Sequence, residues 1–581
     1  MHASFPRRVA ALSFFVVALC VLARPLSLRA QNTDATDTAP GGANAPAVVP
    51  GAAPAPAPAA PVTPPVPEAS EKTNLVPNGD FQKDSSGSGF PDGWKRAPGV
   101  TWEEEGGRHF IRLVQQEPGK LMMLYREVKI PEGTKALEIG FRYRATGIKK
   151  GAQMWFDARS IFHYLDAGRQ QVKPEPGAMV FGSGTWAEAT QKTFVPEGAK
   201  ILVLMPSLFQ VQAGTLDIAE VRVTPLGEAD AQAMAAAAAE AVRKKAEQDD
   251  LLAKDMALPP RTPMLHVEGN KLLTADGKPV TLRGLNVESL EWSPTGDKVL
   301  WTTYVAIHDW NANIVRLPVQ NSFWFGKGRG EMAKNDPEAY RKLIDDVVKL
   351  CAANGVYLLL DLHRFLAPDD DCVLFWKDAA ARYKDNPAVL FDLFNEPHDI
   401  PWEVWRNGGM VPLKDKEPYH SPGMQGLIDA ARSTGAKNIV FCGGLEYAYN
   451  LSGVLNGFAL EDKTGNGIVY ATHFYNWHKG WQQHFLDLVD KYPILVGEFG
   501  AAIDPKKMGF IPAHLQESPA TWMPDVMGLM QKYNLNWTAF CLHPRSGPPL
   551  ISDWDYTPIP TVGDVVKDAL HGKSFEMSHP R

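Results

Sequence analysis

The spacing of apolar positions changes three times along the chain, and each change marks a different kind of structure. From Asn74 to about Leu226, short alternating runs such as HFIRLV, ALEIGFRYRA, AKILVLMPSL and TLDIAEVRVTP are separated by turn residues. A period of two at that spacing, without helical periodicity, predicts an antiparallel β-sandwich. Residues 227–257 are rich in Ala, Glu and Lys, with acids early and bases in the middle, which predicts a linking helix ended by Pro259 and Pro260. From Leu265 onward, strand-length apolar runs alternate with amphipathic segments, the pattern of parallel strands covered by helices.

Eight such runs can be followed. They lie at 281–287, in NANIVRLPV ending around Arg316, in GVYLLLDLH ending at His363, in VLFDLFNE, at 438–444, at 467–475, in PILVGEF and at 535–543. A small hairpin across ADGK precedes the first, and a helix is expected from Pro337 to Ala353. Eight units in roughly 300 residues predict a closed (β/α)8 TIM barrel. The alternative, a doubly wound open sheet, lacks a glycine-rich loop after its first strand. The expected division is a signal peptide at 1–30, an Ala/Pro-rich linker at 31–73, the sandwich at 74–226, a helical linker at 227–260, the barrel at 261–572 and a tail at 573–581.

Composition narrows the function. A net charge of −7 leaves no basic excess for nucleic acid. Arg7 and Arg8 followed by an apolar stretch read as an export signal, and no later run is long enough to span a bilayer, so a secreted or periplasmic protein without membrane insertion is expected, acting as a monomer. Cys351, Cys372, Cys442 and Cys541 show no metal-ligand spacing, and the three of them that lie in apolar runs read as small buried residues rather than bridges.

The chemistry-bearing pattern is a pair of apolar runs that each end in a carboxylate, VLFDLFNEPH at Glu396 and YPILVGEFG at Glu498. In a parallel barrel all strands end at one face, which would gather Arg316, His363, Asn395, Glu396, His473, Tyr475 and Glu498 around one opening. Each alone has a structural explanation; their placement at the same end of successive strands points to a site. The segments RGLN, NIVRLP, LLLDLH, LFNEPH, THFY and LVGEFG, in that order, resemble glycoside hydrolase family 5, the retaining cellulase-type family.

That resemblance implies Glu396 as acid/base and Glu498 as nucleophile. It places Arg316, His363, Asn395, His473 and Tyr475 around the sugar on the non-reducing side, and implies no cofactor and no metal. A retaining hydrolase needs its two carboxyl groups about 5–5.5 Å apart. In the eighth-strand region Phe540 stands where such cellulases carry a stacking Trp, a substrate-binding position with a smaller aromatic face.

Trp292, Trp324, Trp402, Trp477 and Trp554 are candidates for sugar subsites. The opening NLVPNGDF of the sandwich resembles jelly-roll carbohydrate-binding modules, and Trp94, Trp102, Trp155, Trp186 and Tyr164 are candidates for its stacking face. Modules of this kind often carry a structural calcium, for which the residues single out no ligands. The expected activity is an endo-acting retaining β-glycanase on β-1,4-glucan, acting on a polysaccharide or oligosaccharide. The alternatives are β-mannanase or another β-glycosidase specificity on the same site, and a non-catalytic glycan-binding protein.

Overall fold

The computed structural model describes residues 74–581, apart from 152–154, 183, 329–334 and 415. The expected signal and Ala/Pro-rich linker lie outside the described residues. The described residues divide into two compact units, one up to Val242 and one from Arg243. The division falls inside the predicted linking helix, which runs Glu228–Met256.

In the first unit a five-stranded antiparallel sheet is ordered Val100–Glu105, Arg108–Val114, Ala213–Pro225, Ala136–Lys149 and Ala187–Phe194. A second sheet is built on Ile201–Leu208 paired with Ala158–Leu165. Alternation turns Ile111, Ile139, Phe141 and Ile218 of one sheet toward Phe162, Leu202 and Leu204 of the other, forming one core. Asn74 ties the opening segment to the closing strand: its side chain donates to the Val221 carbonyl (3.1 Å) and accepts from the Val223 amide (3.0 Å).

In the second unit eight parallel strands close into the predicted barrel. They are β1 (Arg283–Asn286), β2 (Ile314–Val319), β3 (Tyr357–Leu362), β4 (Val389–Asp392), β5 (Val440–Gly443), β6 (Ile468–Tyr475), β7 (Ile494–Gly500) and β8 (Asn536–Ala539). Helix Pro337–Asn354 shows how sequence sets the covering layer. Asp336 caps it by accepting from the Glu338 amide (2.9 Å), Pro337 occupies the first turn, and Gly355 ends it at φ 72°.

The strands are buried almost throughout and their many apolar residues do not alternate with polar ones, so the sequence alone does not say which residues face inward. The structure shows a strict alternation. On β3, Leu358, Leu360 and Leu362 pack outward against helices, while Tyr357 and Leu359 point inward. The lower interior is closed by Leu282, Ile314, Tyr357, Leu359, Leu390, Phe441 and Leu495, together with Leu265 and Leu272 of the preceding hairpin. Because that end is sealed by apolar side chains, the next inward positions, Arg316 on β2, Asp361 on β3 and Asp392 on β4, form a buried polar layer above it.

Candidate active site

Arg316 lies in the middle of β2, not at its end as its sequence context suggested, and has no exposed surface. Its long side chain covers the difference. Nε bonds Asp392 at 2.9 Å, Nη2 reaches Asp361 at 3.1 Å and the Asn395 Oδ1 at 2.8 Å, and Nη1 donates to Asn286 at 3.0 Å and Glu498 at 2.8 Å. One buried guanidinium thus joins five residues from the upper end of the barrel. Its planar fork suits this; a lysine could not make these contacts.

β4 also ends earlier than expected, at Asp392, so Asn395 and Glu396 follow it on a loop. That loop is not free. Glu396–Pro397 pairs in parallel with Phe365–Leu366, the segment just after β3. Glu396 accepts from or donates to His473 Nδ1 at 3.0 Å, and the same nitrogen lies 3.8 Å from Glu498. His473 and Glu498 are register partners on β6 and β7, and a Cβ at Gly497 would stand 2.8 Å from His473 Nε2, so glycine is required there for the ring to enter. Tyr475 donates its hydroxyl to the second oxygen of Glu498 at 2.5 Å.

One oxygen each of Glu396 and Glu498 and a ring nitrogen of His473 all lie within 4.8 Å of one another. Among the described residues this trio is the group whose donors could hold a metal ion, although both Glu498 oxygens already accept hydrogen bonds from Arg316 and Tyr475.

The two carboxyls sit in opposite electrostatic environments. Burial works to raise the pKa of Glu498, but the charges of His473, Arg316 and His363 and the Tyr475 hydroxyl outweigh it and hold the group at about 2. Burial raises that of Glu396, with the Glu498 charge adding to it and the His473 contact opposing it. His363, two residues past Asp361, keeps Nδ1 at 2.8 Å from that carboxylate; burial opposes its charged form, yet Asp361 pushes its pKa up to about 10.

All seven residues expected at the opening are therefore within one connected site. Phe540 is beside it, 9% exposed, with its ring edge-on to Tyr475 at 6.4 Å between centroids. Trp477 stacks on Tyr475, 5.0 Å apart and 8° from parallel. Trp292 and Trp554 meet His543 from two sides, and Trp402 packs against Trp405 and Phe458. Trp324 is a correction. It is fully buried, donates its indole N–H to Asp378 and packs on Phe375, because its four-residue helix tucks it beneath the surface. In the sandwich, Trp94 and Tyr164 likewise belong to the core and Trp102 packs on it, whereas Trp155 is 37% exposed and Trp186 covers Arg144.

Several site residues escaped the sequence reading. Asp361 and Asp392 carry the arginine, and the available signal was a single acid inside each of two otherwise apolar runs, LLLDL and VLFDL. Glu288 follows β1 by two residues and is buried. Tyr447 stacks on His398, 4.0 Å between centroids, and its amide donates to the Pro397 carbonyl. It is 48% exposed on a loop where Glu446, Tyr447 and Ala448 all have φ near +60°.

Residues 273–546 match the family model Cellulase (glycosyl hydrolase family 5). The chain is 28% identical over 246 residues to endoglucanase A of Butyrivibrio fibrisolvens, covering 41% of this chain and 52% of that protein. It is 26% identical over 251 residues to endoglucanase MaCel5A of a Microbulbifer species, covering 41% and 44%. The chain thus spans about half the length of these curated relatives. Among solved structures, the β-glucanase SdGluc5_26A of Saccharophagus degradans is similar at 23% identity and a TM-score of 0.43, over 54% of this chain and 94% of that one.

Proposed function

Since the barrel domain belongs to glycosyl hydrolase family 5, we propose that this protein is a retaining endo-β-1,4-glucanase in which Glu498 is the nucleophile and Glu396 the acid/base. The observation that carries the reading is the pair itself: two carboxyls with oxygens within 4.8 Å, one held ionised and the other biased toward its protonated form. That spacing suits direct attack rather than the wider gap that admits a water between carboxylate and sugar.

In the first step the ionised Glu498 forms a bond to the anomeric carbon as the glycosidic C–O bond breaks, and Glu396 gives its proton to the departing oxygen. In the second, Glu396 takes a proton from water, the water oxygen bonds to the anomeric carbon, and Glu498 leaves as carboxylate. Arg316 and Tyr475 orient Glu498 through its two oxygens. Arg316 occupies the Asn395 carbonyl oxygen, which leaves the amide N–H2 to donate to a sugar hydroxyl. The buried His363 imidazolium beside Asp361 offers a further charged donor. His398 and Tyr447, next to Glu396, form a flat face on the leaving-group side.

The sandwich is read as an accessory glycan-binding domain, with exposed Trp155 and Tyr125 as its contact aromatics. A polymer substrate fits the export signal expected at 1–30 and action as a secreted monomer. Glu396→Gln and Glu498→Gln should each lower reducing-end release from soluble mixed-linkage β-glucan by about a thousandfold or more. Full activity in either variant would refute the assignment. Assays on mannan, xylan and cellulose derivatives in parallel separate the sugar specificities.

A further inference from the structure

The segment after helix Gly563–Leu570 has no regular secondary structure, yet it is fixed along its length. Gln531 donates to the Lys573 carbonyl at 2.7 Å and accepts from the Phe575 amide at 2.8 Å, and Asp525 accepts from the Ser578 amide at 2.6 Å. Those partners lie on helix Pro519–Lys532, so the segment retraces that helix from its last turn toward its first. Gly528 makes room for it: a Cβ there would stand 2.4 Å from the Met577 nitrogen and 2.6 Å from the Glu576 carbonyl carbon. A helix-interior glycine costs about 0.5–1 kcal/mol relative to alanine, so this position gives up helix stability for close approach of the segment.

The contacts converge on Arg581, whose side chain is only 6% exposed. Its Nη2 donates to Glu517 at 2.7 Å and its Nε reaches both oxygens of the same carboxylate, while Nη1 pairs with Asp525. The guanidinium also lies over the Trp481 ring at 5.3 Å. Glu517 in turn clasps Asn476: its amide donates to the Asn476 carbonyl at 2.9 Å, and the Asn476 side chain donates back to the Glu517 carbonyl at 2.5 Å. Asn476 sits between Tyr475, which holds Glu498, and Trp477, which stacks on Tyr475.

We propose that Arg581 is a positioning residue for substrate binding: it pins Glu517 against Asn476 and so fixes the Trp477 platform at the edge of the cleft. Trp477 acts in this reading as a binding ring and neither moves a proton nor forms a bond, so loosening it removes contacts made equally by substrate and transition state, an effect on KM rather than kcat. The kinetic consequence rests on the glycanase reading above; the mechanical one does not.

The test compares full-length wild type with Arg581→Ala, Arg581→Lys and Gly528→Ala on cellopentaose and soluble mixed-linkage β-glucan, with hydrogen–deuterium exchange on each protein. Arg581→Ala is expected to raise KM about five- to twentyfold with kcat within twofold, and Arg581→Lys to recover part of that loss. Gly528→Ala, far from the cleft, should reproduce the KM effect by displacing the segment. Amides at 476–482 and 505–518 should exchange faster in Arg581→Ala and Gly528→Ala. Exchange changes confined to 573–581, or a fall in kcat with KM unchanged, would overturn the proposal. If wild type cleaves neither substrate, the glycanase reading fails, and exchange at 476–482 alone decides the role of Arg581.

Discussion

Asp361 is the residue on which the site's electrostatics turn. Its Oδ2 is shared between His363 Nδ1 and the Arg316 guanidinium, both largely shut off from bulk water. His363 in the folded chain titrates at about 10, against an ordinary 6.5. The stability contributed by that pairing is therefore fully present below pH 6.5 and is lost as pH rises through 10. Asp361→Asn should destabilise the barrel by about 3–5 kcal/mol at pH 6, as expected when one partner of a buried ion pair is removed. It should also flatten the loss of stability between pH 6.5 and 10, measured by urea unfolding across that range.

Glu288 has the same sign, from burial of an acid rather than from pairing of a base. Burial, with the neighbouring Glu291 and Glu498 charges and only partial relief from Ser546 and His363, raises its pKa well above 4.5. The folded state then retains a proton that the unfolded chain releases above about pH 4.5, so stability falls by about 1.4 kcal/mol for each further pH unit until the folded group also ionises. Glu288→Gln is expected to raise Tm at pH 8 relative to wild type and to change it little at pH 4. An equal change at both values would mean that the carboxyl is not titrating.

At the scale of elements, the loops after the strands carry what the strands only support. The turn after β5 holds Glu446, Tyr447 and Ala448 in left-handed backbone, a conformation that costs of order 1–3 kcal/mol per residue for non-glycine side chains. Isolated bridges between Gly444 and Ala448 and between Leu445 and Asn450 hold it closed. The strained geometry brings the Tyr447 ring onto His398, two residues beyond Glu396. The proposed function puts this ring on the leaving-group side, so Tyr447→Ala should reduce kcat/KM about tenfold on cellopentaose while leaving the pH dependence of kcat in place. A shifted basic limb would instead mean that the loop acts on Glu396.

At the scale of the molecule, the barrel closes its lower end with a hydrophobic plug and opens its upper end around charge. The sandwich keeps most of its aromatics for its own core. Trp155→Ala with Tyr125→Ala in the full chain should weaken retention on insoluble cellulose and leave turnover of soluble β-glucan unchanged, read by a pull-down and a reducing-sugar assay.

Much of this was legible in the sequence because alternation and run length are local properties. The eight strands, the sandwich, the linking helix and the residues gathered at the strand ends follow from periods of 2 and 3.6 read over a dozen residues at a time. The limits of that reading are visible at particular residues. VLFDLFNE reads as one strand, yet it breaks at Asp392 because Glu396 pairs with Phe365 instead of continuing the barrel. Trp324 stands beside a loop in sequence but under the surface in space. The partners of Arg316 lie as far as 182 residues away, and the glycine that admits the 573–581 segment has its reason 49 residues further on, at Met577. Sequence determined the elements and the chemical types available at their ends, since each depends on near neighbours. Tertiary structure decided which charges meet, which carboxyl keeps its proton and which aromatic faces remain open, since burial and Coulomb interactions depend on distances that no local pattern encodes.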